Sequence, residues 1–400
     1  MYNKVDKCER TGGPKCVYRE VWKLPSSWFS ALLVLSVILA WRCASSVLLG
    51  APASATLNQI VAKFDELEPK SINLDRSKAS TNEEGEIVWG TSYALNAYSY
   101  MYQATGDQKY LHKFVILADA LAQQTDANRG VTDYKGRSRV GWGSGPRYSK
   151  NGERIVWLGA SAIIVYPLAR FAWTVKQTPG LSQFAEKAHS YQQLAETALH
   201  EFDNQWRSRP NGEGFYVFEK DEPAKNVPSG SEYPLPFNLE LSAGRVFILL
   251  WKLTGSSAYR EKAEAMAKTF KKNLAVDPNG AYQWHYWHDD SLAIWKGEED
   301  ISHGAADIGF ALEASRESIV FTRDDMERFV ATFVRYTDAS SGTMLKPNDS
   351  AGRWVILSEV DCRVYRAVLP FLMSKTGSQH PQILQGIAEL AYYFKQCGNQ

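Results

Sequence analysis

The sequence predicts an all-α fold, an α/α toroid of five to six helical hairpins, and three observations carry that prediction. Paired helical segments recur at intervals of roughly 55 to 75 residues. The turns inside the pairs share a signature: Thr105-Gly106 to Lys113 and Thr254-Gly255 to Lys262 both read T-G-x-x-x-Y-x-x-K, with related turns at Thr178-Pro179-Gly180, Thr322 to Asp325 and Thr376-Gly377. The first helix of each pair is apolar or small on every face, as in Leu158-Gly159-Ala160-Ser161-Ala162 and Ser242-Ala243-Gly244, whereas the second is charged, as in Arg260-Glu261-Lys262. Helices without a polar face are buried ones. An inner ring inside an outer, solvated ring satisfies both patterns, and an open solenoid of the same hairpins is the rival architecture.

In chain order, a helix over 57–67 completes or caps the ring. The hairpins follow at 90–104 and 108–124, 158–175 and 181–206, 239–253 and 258–274, 304–320 and 324–336, and 359–373 and 382–394. Within the first pair, Tyr110, Leu111, Phe114, Leu117, Ala118 and Leu121 recur at helical spacing. No series of strands is expected.

Residues 1–55 read differently from the 56–400 body. Six basic residues from Lys4 to Lys23 stand against Asp6, Glu9 and Glu20, and an uncharged apolar run follows from Trp28 to Trp41. The positive flank favours leaving the N-terminus in the cytoplasm. The run, counted over about 24–41, suits either a signal-peptide core or a single-span anchor. Ala51-Pro52-Ala53-Ser54-Ala55 offers small residues for cleavage, while Arg42 and the long leader speak for an anchor. Either route places the body outside the cytoplasm, secreted, periplasmic or membrane-anchored. Of five cysteines only Cys362 and Cys397 fall in the body, and the sequence leaves open whether they pair. With 45 basic and 44 acidic residues the chain lacks the positive balance of a nucleic-acid binder. No C-x-x-C or H-E-x-x-H pattern occurs, so neither a metal nor a cofactor is expected.

The hairpin repeat, the T-G-x-x-x-Y turns and the segment Glu298-Glu299-Asp300-Ile301-Ser302-His303-Gly304 make the chain resemble the six-hairpin carbohydrate-active enzymes, a superfamily of glycoside hydrolases, polysaccharide lyases and sugar epimerases. The likeness covers nearly all of residues 57–394, and no single family's catalytic signature is complete. It implies a poly- or oligosaccharide partner and leaves the reaction open, because function lives in the site.

Five loop-to-helix junctions should converge at one end of the ring. They carry Glu86, Trp89 and Tyr93; Arg154 and Trp157; Asn238 and Glu240; Glu298, Glu299, Asp300, His303 and Asp307; and Glu359, Asp361 and Arg363. Helix capping explains any one of these acids equally well. The loop from Tyr282 through Trp284, His285, Tyr286 and His288 to Asp290 gathers aromatics that stack on sugars and side chains that move protons; an aromatic plug closing the barrel is the plain alternative. The loop from Asp133 to Tyr148 sets Arg137, Arg139 and two further basic residues beside Trp142 and Tyr148, a pattern able to hold an anionic sugar; a solvated basic loop would look the same. A third loop, from Phe215 to Asn238, supplies groove-wall aromatics.

Three functions remain in view. A glycoside hydrolase needs two carboxyl groups, for which Asp300 and Glu240 are the first pair, with Asp133 or Glu359 in reserve. A uronate-directed lyase or C5-epimerase needs an arginine on the sugar carboxylate and a proton-abstracting group: Arg137 or Arg139 with His303, His285 and Tyr286. A non-catalytic glycan-binding envelope protein is the third. The hydrolase heads the list, with Trp89, Tyr93, Trp142, Tyr148, Trp284, Glu299 and Asn238 as sugar contacts. The expected partners are the saccharide, acidic if the basic loop takes part, and the membrane through the N-terminal segment.

Overall fold

The computed structural model describes residues 55–75, 80–225, 227, 232–288, 299–338, 342–345 and 349–398. The 24–41 segment, the proposed cleavage stretch up to Ser54 and Glu298 lie outside these residues.

Among the described residues, eleven α-helices of ten or more residues are ordered as α1 Leu57–Ser71, α2 Ser92–Thr105, α3 Lys109–Gln123, α4 Leu158–Gln177, α5 Ala185–His200, α6 Phe237–Thr254, α7 Ser257–Lys272, α8 Gly304–Arg316, α9 Arg323–Val334, α10 Cys362–Met373 and α11 Pro381–Cys397. A 3-10 helix spans Asp349–Glu359. Strands β1 Trp206–Ser208 and β2 Gly214–Tyr216 form one antiparallel ribbon, and β3 Ala275–Val276 with β4 Tyr282–Gln283 form another. The expected helix over 181–206 is shorter: Pro179–Phe184 is a 3-10 turn, and the chain leaves the helix before β1.

The repeated turns have one geometry. Gly106 and Gly255 cap α2 and α6 in the left-handed region, at φ 73° and 77°, where a side chain is strained. Thr105 and Thr254 each turn a hydroxyl back to a carbonyl of the last helical turn and accept from the backbone N–H two residues on.

α2, α4, α6, α8, the 3-10 helix and α11 contact one another in cyclic order and form the inner ring. The remaining helices pack outside them. Small residues set the spacing: a β-carbon on Gly159 would sit 2.7 Å from Leu239, and one on Gly244 2.5 Å from Phe310. α4 is long and apolar enough to cross a membrane by composition, yet it is buried within this ring.

Two corrections follow. Residues 359–373 were expected to be an inner helix and 382–394 its outer partner; the order is the reverse. α10 buries one face and leaves Arg363 and Arg366 exposed, whereas α11 is buried around nearly its whole circumference. The inner partner of α10 is the 3-10 helix, which a 3.6-residue periodicity search does not see. α11 pairs instead with α1, so the two ends of the body make a sixth hairpin that closes the ring. Cys362 and Cys397 are disulfide-bonded, tying the start of α10 to the end of α11.

Candidate functional site

A cavity of about 500 Å³ opens inside the ring at the end where the inner helices begin. Its walls come from the first halves of these helices: Tyr93 and Asn96 of α2, Tyr166 of α4, Ser242 and Arg245 of α6, Gly309 of α8 and Gln385 and Glu389 of α11, with Arg353 from the 3-10 helix. The helix N-termini therefore face the cavity, and their dipoles favour negative charge there. Several lining residues hold buried polar atoms without a protein partner: Asn96 Oδ1, Asn238 Oδ1, Arg353 Nε, Gln385 Oε1 and Glu389 Oε2. Such atoms are rare in folded proteins and concentrate where a ligand or water completes the bonding.

His303 stands at the cavity's edge, at the N-terminus of α8. Asp300 holds it there. One carboxylate oxygen accepts from the Ser302 and His303 backbone N–H groups and the Ser302 hydroxyl; the other lies 2.8 Å from His303 Nδ1. The hydrogen bond from His303 keeps the Asp300 carboxyl well below the usual carboxylate range. Burial alone would lower the His303 pKa, but the Asp300 bond and the charges of Asp300 and Glu299 outweigh it and raise it. With Asp300 ionised, Nδ1 carries the proton and Nε2 is the nitrogen left to exchange one. The Tyr286 ring meets His303 edge-on at 5.1 Å.

Behind His303 lies a buried acidic layer. Glu299 keeps only 3% of its side chain exposed, and burial, followed by repulsion from Asp307, raises its pKa. Asp307 is fully buried and raised by that burial, although it accepts from the Trp284 indole at 2.8 Å. Protonated carboxyls at this depth avoid the cost of unpaired buried charge. Glu299, Asp300 and His303 also form a group whose ligand atoms lie within 4.8 Å of one another, which is where a cation would be held. The bonds within the group account for its geometry without one.

The cavity that His303 edges also holds Arg353, Arg245 and His380, which the sequence analysis did not single out, and Arg147 of the basic loop. Arg353 donates to the Tyr93 hydroxyl at 3.2 Å and to the Ser302 carbonyl. Arg245 binds Glu313 at 2.8 Å and lines the cavity floor. Arg147 reaches the Glu84 carbonyl. His380, at the N-terminus of α11, accepts from the Gln382 N–H; burial, against the charge of Asp349 and with that of Arg353, lowers its pKa. Its place before Pro381, a helix-start signal, was the sequence cue. Arg353 and Arg245 carried none.

Of the expected site residues, Trp89, Tyr93, Asn238 and His303 line the central cavity, and Tyr148 and Tyr286 line a second cavity that joins it. Asp300 and Glu299 sit behind His303 rather than on the cavity wall. The others lie elsewhere. Arg137 is held by Asp133 and Glu219, and the Glu219 carboxyl, despite its burial, is lowered to about 2 by Arg137 and Lys135. Arg139 is buried against Glu201. Arg137 and Arg139 thus spend their charges on Asp133 of the same loop and on Glu219 and Glu201 from distant segments. Trp142 is 0% exposed, donating its indole N–H to the Leu121 carbonyl, and Trp284 is core. Glu240 is also 0% exposed: it accepts from the Tyr216 backbone and lies 2.7 Å from His288 Nε2. His285 is exposed and lines neither cavity, while Glu359 pairs with Arg316 away from the cleft. Asp361 caps α10.

No protein-family model matches this chain, and no curated protein matches it. Among solved structures it is similar to an α-1,6-mannanase of glycoside hydrolase family 76 from a Salegentibacter species, at TM-score 0.54 and 13% identity over 84% of this chain and 98% of that one. An inactive variant of that mannanase in complex with α-1,6-mannotriose gives TM-score 0.52 and 14% identity over the same shares. A Listeria innocua protein gives 0.53 and 14%, covering 85% of this chain and 97% of that one. The chain therefore has the six-hairpin glycosidase-like fold.

Proposed function

We propose that the chain is a carbohydrate-active enzyme that binds an anionic oligosaccharide in the central cavity and transfers a proton at a carbon beside the sugar carboxylate, as a uronate-directed lyase or C5-epimerase. One observation carries this: His303, oriented by Asp300, shares its cavity with Arg147, Arg245, Arg353 and His380. Arg353 and Arg147, with the helix dipoles, suit a carboxylate and the charge that grows on it as its neighbouring C–H bond breaks, whereas Arg245 is already paired with Glu313. Neutral His303 takes that proton at Nε2, while Asp300 holds the tautomer and stabilises the resulting imidazolium. In elimination the electron pair forms the C4–C5 double bond as the C4–O bond breaks, and the departing oxygen gains a proton. In epimerisation a proton returns to the opposite face. His380, which lines the same cavity, is the group we assign to the second transfer.

Hydrolysis is the second reading. The acids Glu299 and Asp300 are consecutive and their pKa values are driven apart, the pattern of an acid beside a charged partner. The mannanase of similar fold is rendered inactive by replacing two neighbouring aspartates. The cavity itself is less favourable to this reading. Of its acids, Asp349 is paired with Lys375 and Glu389 sits on the buried floor, its pKa pushed by burial to about 7.

We also propose export: the disulfide suits an oxidising compartment, and residues 1–55 serve as leader and signal or anchor for a 56–400 catalytic body. The reaction is tested by incubating the protein with a glycan panel and measuring together the reducing ends, the ultraviolet absorbance of unsaturated uronates and the uronate C5 configuration by NMR. Absorbance, or an inverted uronate without new ends, supports proton transfer. New reducing ends without absorbance establish hydrolysis.

A further inference from the structure

The cleft has two lobes of opposite chemistry, and His303 stands where they meet. The second lobe also encloses about 500 Å³, and it shares Trp89, Arg147, Asn238 and His303 with the first. Each lobe is within the range of roughly 300–1,000 Å³ usual for ligand pockets. The first is lined by arginines, histidines and amides, with Asp349, paired with Lys375, and the buried Glu389 also on its wall. The second is lined by Tyr148, Trp157, Phe218, Leu239, Tyr286 and Trp287.

The aromatic lobe is built. Trp157 and Tyr148 pack with centroids 5.3 Å apart, and the Trp89 indole donates to the Tyr148 hydroxyl at 2.7 Å. Trp287 is wedged between Tyr286, 5.3 Å away, and Phe218, 6.3 Å away. Its added cation is Lys225, which is exposed, and Arg147 lies at the junction with the first lobe. A carboxylate seated against Trp157, Phe218 and Trp287, away from Arg147 and His303 at the junction, would lose its water with only the exposed Lys225 added to pair it, a costly transfer. An uncharged sugar ring meets no such penalty: its C–H face covers indole surface. The indole N–H groups of Trp157 and Trp287 are buried without acceptors, and the oxygens of a bound ring or acyl group can supply them.

We infer that the substrate is a mixed chain, with an anionic sugar in the arginine lobe and an uncharged sugar, such as an N-acetylhexosamine, beside it in the aromatic lobe. The inference rests on the proton-transfer reading for the identity of the anionic unit, and it adds what must flank that unit. A chain of uronates alone would force a carboxylate into the aromatic lobe.

The test is calorimetric binding of the full chain to two oligosaccharides of equal length, one alternating glucuronate with N-acetylhexosamine and one of glucuronate alone, with turnover of each assayed in parallel. The alternating chain should bind about tenfold more tightly, a difference of about 1.4 kcal/mol. Trp157→Ala with Trp287→Ala should erase the preference. Trp157→Phe with Trp287→Phe, which keep ring packing and remove the N–H donors, should reduce it, and they remain informative if the alanine variants fail to fold. Equal affinity, preference for the all-glucuronate chain, or no binding of either overturns the inference. Equal affinity with unsaturated or inverted product overturns the inference and leaves the proton-transfer reading standing. A tenfold preference with only hydrolysed product does the reverse.

Discussion

Two carboxylate–histidine pairs of nearly equal length sit at neighbouring inner-helix starts, and their surroundings give them opposite tasks. In the first, Glu240 lies 2.7 Å from His288, with 0% and 3% of the side chains exposed, and the His288 ring stacks on Phe237 at 4.3 Å. In the second, Asp300 lies 2.8 Å from His303, with 46% and 35% exposed, beside both lobes of the cleft. Chemistry and distance are shared; access differs. The sealed pair anchors β2 and the aromatic loop to α6. In the open pair His303 lines the cleft, where we propose that a ring nitrogen meets substrate.

The comparison breaks most easily at His303. His303→Ala should lower turnover by a factor of about a hundred to ten thousand, the usual contribution of a proton-transfer group, with melting temperature nearly unchanged. Loss of folding with full activity per folded molecule would make the junction structural. The sealed pair should behave in the opposite way. Glu240→Ala strands a buried histidine and the Tyr216 N–H, so it should destabilise by about 3 kcal/mol in denaturant unfolding, with the surviving folded molecules active.

Asp300→Asn should cut turnover at least a hundredfold and also move the pH profile. Asp300 raises the His303 pKa, so wild-type activity should climb as pH rises through a value above the ordinary 6.5 and His303 becomes neutral. Removing the charge should shift that limb to lower pH, a displacement no purely structural cap would produce. The smallest effect belongs to Glu299. Its folded-state pKa is raised, so the folded chain holds a proton that the unfolded chain has lost, and stability falls as pH climbs out of the ordinary glutamate range. Glu299→Gln should flatten the decline of melting temperature between about pH 5 and pH 8. A slope equal to that of the wild type would place the proton elsewhere.

The sequence carried the ring because its turn and burial signals are local. Thr-Gly turns act within a few residues, and small-residue inner helices differ visibly from charged outer ones. It missed the 3-10 helix, whose three-residue turn breaks the helical period, and so reversed the roles of α10 and α11. The candidate cleft was legible where junction and chemistry coincide: His303, Trp89, Tyr93 and Asn238 line it. It was misread where long-range partners decide. Arg137 and Arg139 look like anion binders until Glu219 and Glu201 arrive from distant segments to neutralise them. Arg353 has the reverse history, an unremarkable residue that the ring's closure brings beside Tyr93 and His303.

The most direct measurement follows the proton itself. The full chain is incubated in deuterium oxide with a uronate-containing oligosaccharide, and the hydrogen at uronate C5 is read by NMR and mass spectrometry. Proton transfer at His303 predicts that the original C5 hydrogen is lost, replaced by deuterium in an epimerised product or absent from an unsaturated one, and that His303→Ala abolishes the loss. Cleavage of the oligosaccharide with the C5 hydrogen fully retained would contradict the account and point to hydrolysis instead.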